Sequence, residues 1–283
     1  MNESLSIMPD DWFLEIEKTF ADLSDSFISA EPFPHIVIDS FLPEAIAKQC
    51  AEAFPVPGSA QWIHYAHLNS AKWGMTDLDT MPSVLRSVTV ALNSPDFTRA
   101  LSTLSQVPNL ESDPLLSGGG LHVTRAGGFL NVHTDFVSHP SNRTWRRQLN
   151  LLLYLTEDWN EEWGGHLELW DANMRSAIQR VEPKFNRCVV FRTSDTSYHG
   201  VPEPLNVPVT TQRNSLALYY FSDERQAVKP RATNYRPRPS DGKRSVLLKA
   251  DNAALALYSR LRIALRIDDR SIGRFLGKFR RNK

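Results

Sequence analysis

A chain of 283 residues with 41% hydrophobic residues and seven Trp has enough apolar surface for one large domain with appendages. Lys+Arg and Asp+Glu balance at 32 each, which argues against a nucleic-acid partner. Two cysteines, Cys50 and Cys188, cannot build a disulfide framework, the acidic start MNESLSIMPDD is unlike a signal peptide, and LNLLLYL is too short to span a membrane, so the expected location is the cytoplasm.

In chain order, residues 11–24 predict an amphipathic helix, with Trp12, Phe13, Ile16, Phe20 and Leu23 at helical spacing. PHIVIDSF (34–41) predicts a strand, and Pro43 suits the first turn of a helix over PEAIAKQCAEAF. Two further helical segments are expected between about 82 and 105, broken near Asn93-Ser94-Pro95. From Leu121 the pattern changes to short β-rich runs: LHVTRA, FLNVHTD, RQLNLLLYLT, GHLELWD, RCVVFRT and RNSLALYYFS. Helices followed by many short strands imply a mainly β fold, a curled β-sandwich buttressed by helices. The expected organisation is amino-terminal support over 1–115, a β core over 116–225, and an Arg/Pro-rich loop with a basic tail over 226–283.

Alternate side chains of a strand share a face, so His133 and Asp135 of NVHTD point the same way. On its own, His-x-Asp is a common surface dipeptide at a strand end. His199, just after the RCVVFRT strand, supplies a third ligand, and two His with one carboxylate form the facial triad of non-haem Fe(II) oxygenases. Fourteen residues later Arg213 opens a strand on which Arg213, Ser215, Ala217 and Tyr219 share one face. A guanidinium followed by a hydroxyl is a fork for a carboxylate, such as the distal end of 2-oxoglutarate. In LNLLLYL, Leu149, Leu151, Leu153 and Leu155 form a face for the helices, while Asn150, Leu152 and Tyr154 turn inward. The Tyr154 phenol is placed to add a second hydrogen bond to the same carboxylate.

With these residues in place, the sequence from about Leu121 to Arg225 resembles the prolyl-hydroxylase-like branch of the iron(II)/2-oxoglutarate-dependent oxygenases, which includes the hypoxia-sensing prolyl hydroxylases. The resemblance is carried by GGFLNVHTDF, LNLLLYLTEDWNEEWGGHLELWD, VEPKFNRCVVFRTSDTSYHGV and RNSLALYYFSDER. It implies a double-stranded β-helix (jelly-roll) core with flanking helices. It also implies Fe(II) held by His133, Asp135 and His199, with 2-oxoglutarate and O₂ as cosubstrates and ascorbate as a candidate reductant. Arg213 and Tyr154 match the residues that hold the distal carboxylate, with Ser215 beside them. The implied reaction hydroxylates a C–H bond of a small-molecule, natural-product or prolyl/peptidyl substrate and releases succinate and CO₂. In related halogenases a small residue replaces the carboxylate ligand, so Asp135 implies hydroxylation.

The chain departs from the hypoxia-sensing enzymes in a longer His199-to-Arg213 spacing and in HVTRAGG, where those enzymes have a tyrosine. Asn131 and Thr124 are the candidates left for the metal-proximal end of 2-oxoglutarate. Two rivals remain: a cupin-type metalloenzyme without 2-oxoglutarate, which has no need of Arg213, and a non-catalytic binding member.

His122 lies on the strand leading into the site; Trp159, Trp163 and Trp170 are expected to pack structurally rather than line a groove. The loop 137–147 follows Asp135 directly and brings Arg143, Trp145, Arg146 and Arg147 toward the mouth, as substrate contacts that favour an anionic group. The alternative is that these arginines pair with the acidic turn at Glu157, Asp158, Glu161 and Glu162. The tail from Tyr258 to Lys283 carries nine Lys/Arg against two Asp. It is expected to pack on its own domain, with peripheral membrane contact as the alternative.

Overall fold

The computed structural model describes residues 7–58, 61–243 and 245–248, so the basic tail lies outside the described residues. Helix α1 (Asp10–Ser29) forms where the sequence predicts it and runs one turn further. Its Trp12, Ile16, Phe20 and Phe27 are buried against the β-sheet and α4, with Trp12 stacked on Phe97 at 6.0 Å. Each such side chain contributes roughly 1.5–3 kcal/mol by leaving water. Pro43 stands one place before α2 (Glu44–Glu52), at its N-cap rather than in its first turn. The break at Asn93-Ser94-Pro95 separates α3 (Ser83–Leu92) from α4 (Pro95–Ser105). There the Ser94 hydroxyl accepts from the Phe97 amide and Pro95 occupies the first helical position.

The strands are β1 (His35–Ile38), β2 (Ile63–His67), β3 (Ser70–Met75), β4 (Glu111–Ser112), β5 (Gly120–Thr124), β6 (Phe129–Thr134), β7 (Trp145–Tyr154), β8 (Leu167–Trp170), β9 (Ala177–Val181), β10 (Cys188–Arg192), β11 (His199–Val201), β12 (Arg213–Asp223) and β13 (Asn234–Tyr235). They pair antiparallel in the order β1-β10-β7-β12-β5-β3-β6-β11-β8-β9, with β2 on β3, β4 on β12 and β13 on β6. This is the jelly roll expected from the sequence. The hairpin β2–β3 was not anticipated; it sits between β5 and β6 and joins the two halves of the curled sheet. Strands from both outer segments, β1 to β3 and β13, therefore belong to the same sheet as residues 116–225.

Register sorts the side chains by face. Met75, Leu121, Leu216 and Leu153 lie side by side across β3, β5, β12 and β7, and all four pack against the helices. One step along, Gly74, His122, Ser215 and Tyr154 form the next row and face the opposite way, into the mouth of the roll. Arg213 pairs with Thr124 at the end of the same face. A second apolar cluster, including Phe33, Tyr154, Leu169, Val189 and Phe191, closes the interior of the roll.

One irregularity changes the outcome of strict alternation. Tyr220 pairs with Leu149, but the next residue, Phe221, pairs with Arg147, so Gln148 is an extra residue in β7. The bulge swings Arg147 off the leucine face and into the roll, on the face of Tyr219 and Phe221.

Candidate metal and cosubstrate site

His133 near the end of β6, Asp135 just beyond it and His199 at the start of β11 converge, all buried, with ligand atoms within 4.8 Å of one another. His133 pairs directly with His199 across the two strands. The Asp135 carboxylate lies 3.6 Å from His133 Nε2 and 3.4 Å from His199 Nε2. Cis ligands about 2.1 Å from a divalent ion lie about 3 Å apart, so the set is close to closed on an ion of that size. Gly200 makes the close strand approach possible: a Cβ there would stand 2.8 Å from the Leu130 carbonyl oxygen.

The backbone fixes which imidazole nitrogens face the metal position. His133 Nδ1 is 2.9 Å from the Asn131 carbonyl oxygen, and His199 Nδ1 is 2.9 Å from that of Ser197. A carbonyl only accepts, so each Nδ1 carries the proton and each Nε2 lone pair is free for a metal. Burial pulls His199 down to about 4, which keeps it a neutral ligand at neutral pH. Burial alone would raise the Asp135 pKa, but the Arg147 charge, with His199 and His133, holds it well below the usual carboxylate range.

Two residues behind the ligands were not singled out by sequence reasoning as a unit. Asn150 Nδ2 donates to Asp135 Oδ2 at 2.7 Å, and Arg147 Nε donates to Asn150 Oδ1 at 2.8 Å. Arg147 Nη2 also lies 3.3 Å from Asp135 Oδ2, and its guanidinium rests on the Tyr219 ring at 3.3 Å. The pair therefore sets the orientation of the carboxylate ligand. Replacing Asn150 by Leu is expected to weaken Fe(II) binding by about 10- to 100-fold while leaving the fold intact, as for partners behind other metal ligands. Metal titration monitored by tryptophan fluorescence checks this, and wild-type affinity in Asn150→Leu would refute it.

Deeper in the roll, Arg213 is buried with Nε donating to the Gly165 carbonyl oxygen at 3.0 Å. Its Cζ lies 4.7 Å from the Tyr154 ring centre. Among the described residues no acidic side chain comes within ion-pair distance of Arg213, and the buried Tyr154 hydroxyl has no hydrogen-bond partner. Burial raises the Tyr154 pKa, so the phenol stays a donor. A buried cation without a counter-charge and a buried hydroxyl without an acceptor are costly unless a ligand supplies both. A carboxylate from outside fits both, which is what the distal end of 2-oxoglutarate offers.

The remaining expected residues are placed as follows. Ser215 is buried beside Tyr154 and His122 in register. The Asn131 amide is committed to the β2–β3 turn, donating to the Leu68 carbonyl and to Asn69 Oδ1. That leaves Thr124, beside Arg213, nearer the pocket. Arg143 and Arg146 lie exposed on the rim, and Arg146 is 3.9 Å from Glu224 rather than at the acidic turn of 157–162. Trp145 stacks on Phe221 at 5.9 Å. Of the four residues expected from that loop, the bulged-in Arg147 is the one the structure brings to the metal ligands. Trp159 and Trp163 pack on Val201, Leu205 and Val207, and Trp170 on Val132 and Tyr198. The stretch after residue 228 folds back onto the ligand strand: β13 pairs Tyr235 with His133, their rings 5.3 Å apart.

A sequence profile described as the 2OG-Fe(II) oxygenase superfamily matches residues 119–221, the span that holds His133, Asp135, His199, Arg147, Asn150, Tyr154 and Arg213. Over 92 residues the chain is 27% identical to mouse prolyl 3-hydroxylase OGFOD1, a match covering 31% of this chain and 16% of that protein. The chain thus spans about a sixth of the length of that curated relative. Among solved structures it is similar to a prolyl-4-hydroxylase from Pseudomonas putida, at 18% identity and TM-score 0.51, covering 71% of this chain and 98% of the other. It is likewise similar to a Trichoplax adhaerens prolyl hydroxylase solved with a hypoxia-inducible-factor peptide fragment, at 18% identity and TM-score 0.52, covering 77% and 95%. Fold, ligand cluster and profile converge on residues 119–221, the span in which the chain is similar to the 2OG-Fe(II) oxygenase superfamily.

Proposed function

We propose that the chain is an Fe(II)- and 2-oxoglutarate-dependent hydroxylase that inserts one oxygen atom of O₂ into a C–H bond of its substrate and releases succinate and CO₂. The observation that carries this reading is the Arg213–Tyr154 pair, a buried guanidinium with no acidic partner among the described residues beside a buried hydroxyl with no acceptor, on the same face as a His-Asp-His cluster. A cupin-type metalloenzyme without 2-oxoglutarate would gain nothing from a guanidinium buried there.

Bound iron would supply the redox chemistry that couples oxidative decarboxylation of 2-oxoglutarate to hydroxylation. The protein's residues do the positioning. His133, Asp135 and His199 hold one face of the ion and leave the other for cosubstrate and O₂. Arg213 and Tyr154 fix the far carboxylate, and the walls of the roll keep bulk water away. Prolyl residues are the first substrate class to test, because the relatives that the chain matches are named as prolyl hydroxylases.

The test is anaerobic reconstitution of the purified chain with Fe(II), then release of labelled CO₂ from 1-labelled 2-oxoglutarate in air with ascorbate. Decarboxylation that requires both iron and 2-oxoglutarate is the expected result, with stimulation by a prolyl peptide marking the substrate class. No iron-dependent decarboxylation would refute the hydroxylase reading.

A further inference from the structure

The hairpin β2–β3 presents one of its faces to the roll. Tyr65 and Lys72 pair directly across it. The next pair on the same face is Ile63 with Gly74, and the space above the Gly74 Cα is taken by the Tyr65 ring and the His122 imidazole, at 2.9 and 3.4 Å from the Cβ position. Lys72 shares that face, with Nζ 5.7 Å from the Tyr65 ring centre. The lysine therefore reaches the pocket face from β3, whereas the bulge brings Arg147 in from β7.

These cations are not balanced. Lys72 lies within electrostatic reach of Arg213, Arg147 and Asp135, and among the described residues Asp135 is the one acidic group acting on it; Arg147 shares that carboxylate. A divalent ion would add two positive charges and the 2-oxoglutarate dianion would cancel two, so a surplus of two positive charges stays in the pocket. The cosubstrate does not need Lys72: its distal carboxylate has Arg213 and Tyr154, and its other end has the metal. Arg147 keeps Nε on Asn150 and Nη2 in the ion pair with Asp135, while Nη1 is buried without a hydrogen-bond partner. Burial, with repulsion from Arg213 and Arg147 set against attraction to Asp135, pulls the Lys72 amine down to about 8. An ammonium so placed is stabilised by an incoming anion.

Resting on the oxygenase reading above, we propose that Lys72, reaching the pocket face from β3, recognises a carboxylate on the substrate, so that the site selects acids over their amides. The carboxylate could belong to a free amino acid or to an acidic side chain beside the reacting residue of a peptide. Rim arginines play no part in this reading; the specificity lies on the hairpin.

The experiment uses the full chain loaded with Ni(II) and N-oxalylglycine, which occupy the metal and cosubstrate positions without turnover. Isothermal titration then compares two matched pairs: L-proline against L-prolinamide, and blocked Gly-Pro-Glu against blocked Gly-Pro-Gln. In one of the two arms, which identifies the source, the acid is expected to bind at least about tenfold more tightly than the amide. Lys72→Met should bring that ratio to near one, and Lys72→Arg should keep most of it. Equal or undetectable binding of acid and amide in both arms would overturn the proposal, as would an acid preference that survives in Lys72→Met. A loss of 2-oxoglutarate affinity in Lys72→Met as large as that in Arg213→Ala would place the amine on the cosubstrate and overturn it too. Failure of the wild type to take up Ni(II) and N-oxalylglycine would overturn the oxygenase reading, and this proposal with it, before any probe is added.

Discussion

His199→Ala is expected to abolish iron-dependent turnover of 2-oxoglutarate, and His133→Ala and Asp135→Ala to do the same. Each ligand is buried and already oriented: both imidazoles by backbone carbonyls, the carboxylate by Asn150 and Arg147. Removing one leaves two donors, too few to hold a labile divalent ion in a defined geometry. His199→Ala also leaves a gap beside Phe191, whose ring centre is 4.6 Å from the imidazole. The loss there should still be small beside the effect on the metal, because His199→Ala at one strand end leaves the β6–β11 pairing in place. Fe(II) binding and decarboxylation are the two measurements. Wild-type metal affinity together with retained turnover in His199→Ala would remove that residue from the site.

Arg213→Ala is expected to raise the 2-oxoglutarate dissociation constant by at least about tenfold, since a charge-assisted bidentate contact is typically worth about 1.5–3 kcal/mol. Tyr154→Phe should cost less, because it removes a single neutral donor. The stability of the unliganded protein should move the other way from most core truncations. Arg213 is buried with one carbonyl as its hydrogen-bond partner, so deleting it relieves a desolvated charge. A Tm that holds or rises while 2-oxoglutarate affinity falls distinguishes a ligand-binding arginine from a structural one. An unchanged affinity would remove the main reason for naming this cosubstrate.

The helices, seven of the strands and the metal cluster were legible because each rests on local signals. The Leu-rich alternation of β7 and β12, the Ser94-Pro95 start of α4 and the His-x-Asp spacing all survive without knowledge of the fold. The hairpin was not legible. Its two strands, IHYAH and SAKWGM, carry polar residues on both faces and no Gly, Pro or Asp turn between them, so neither period stands out. Its pocket face is polar because it borders a site, and the other face holds His64 stacked on Trp73 at 4.0 Å. Arg147 was misplaced among its loop neighbours for a different reason. Strict alternation puts it with Leu149, and only the pairing partner across the sheet shows that Gln148 is an extra residue. A bulge is a property of two strands together, and one strand's sequence does not contain it.

The alternation of rows across β3, β5, β12 and β7 has a consequence for how the chain reaches this arrangement. A slip of one residue in β12 would exchange faces: Leu216 would enter the polar mouth, and Arg213 would turn to the side that carries Leu216 and Leu218 against the helices. A misaligned leucine alone costs little. A guanidinium forced into that layer with no acceptor is far more costly. The residues that chemistry requires thus also act as proofreaders of strand alignment, rejecting the wrong pairing during folding before any cosubstrate arrives.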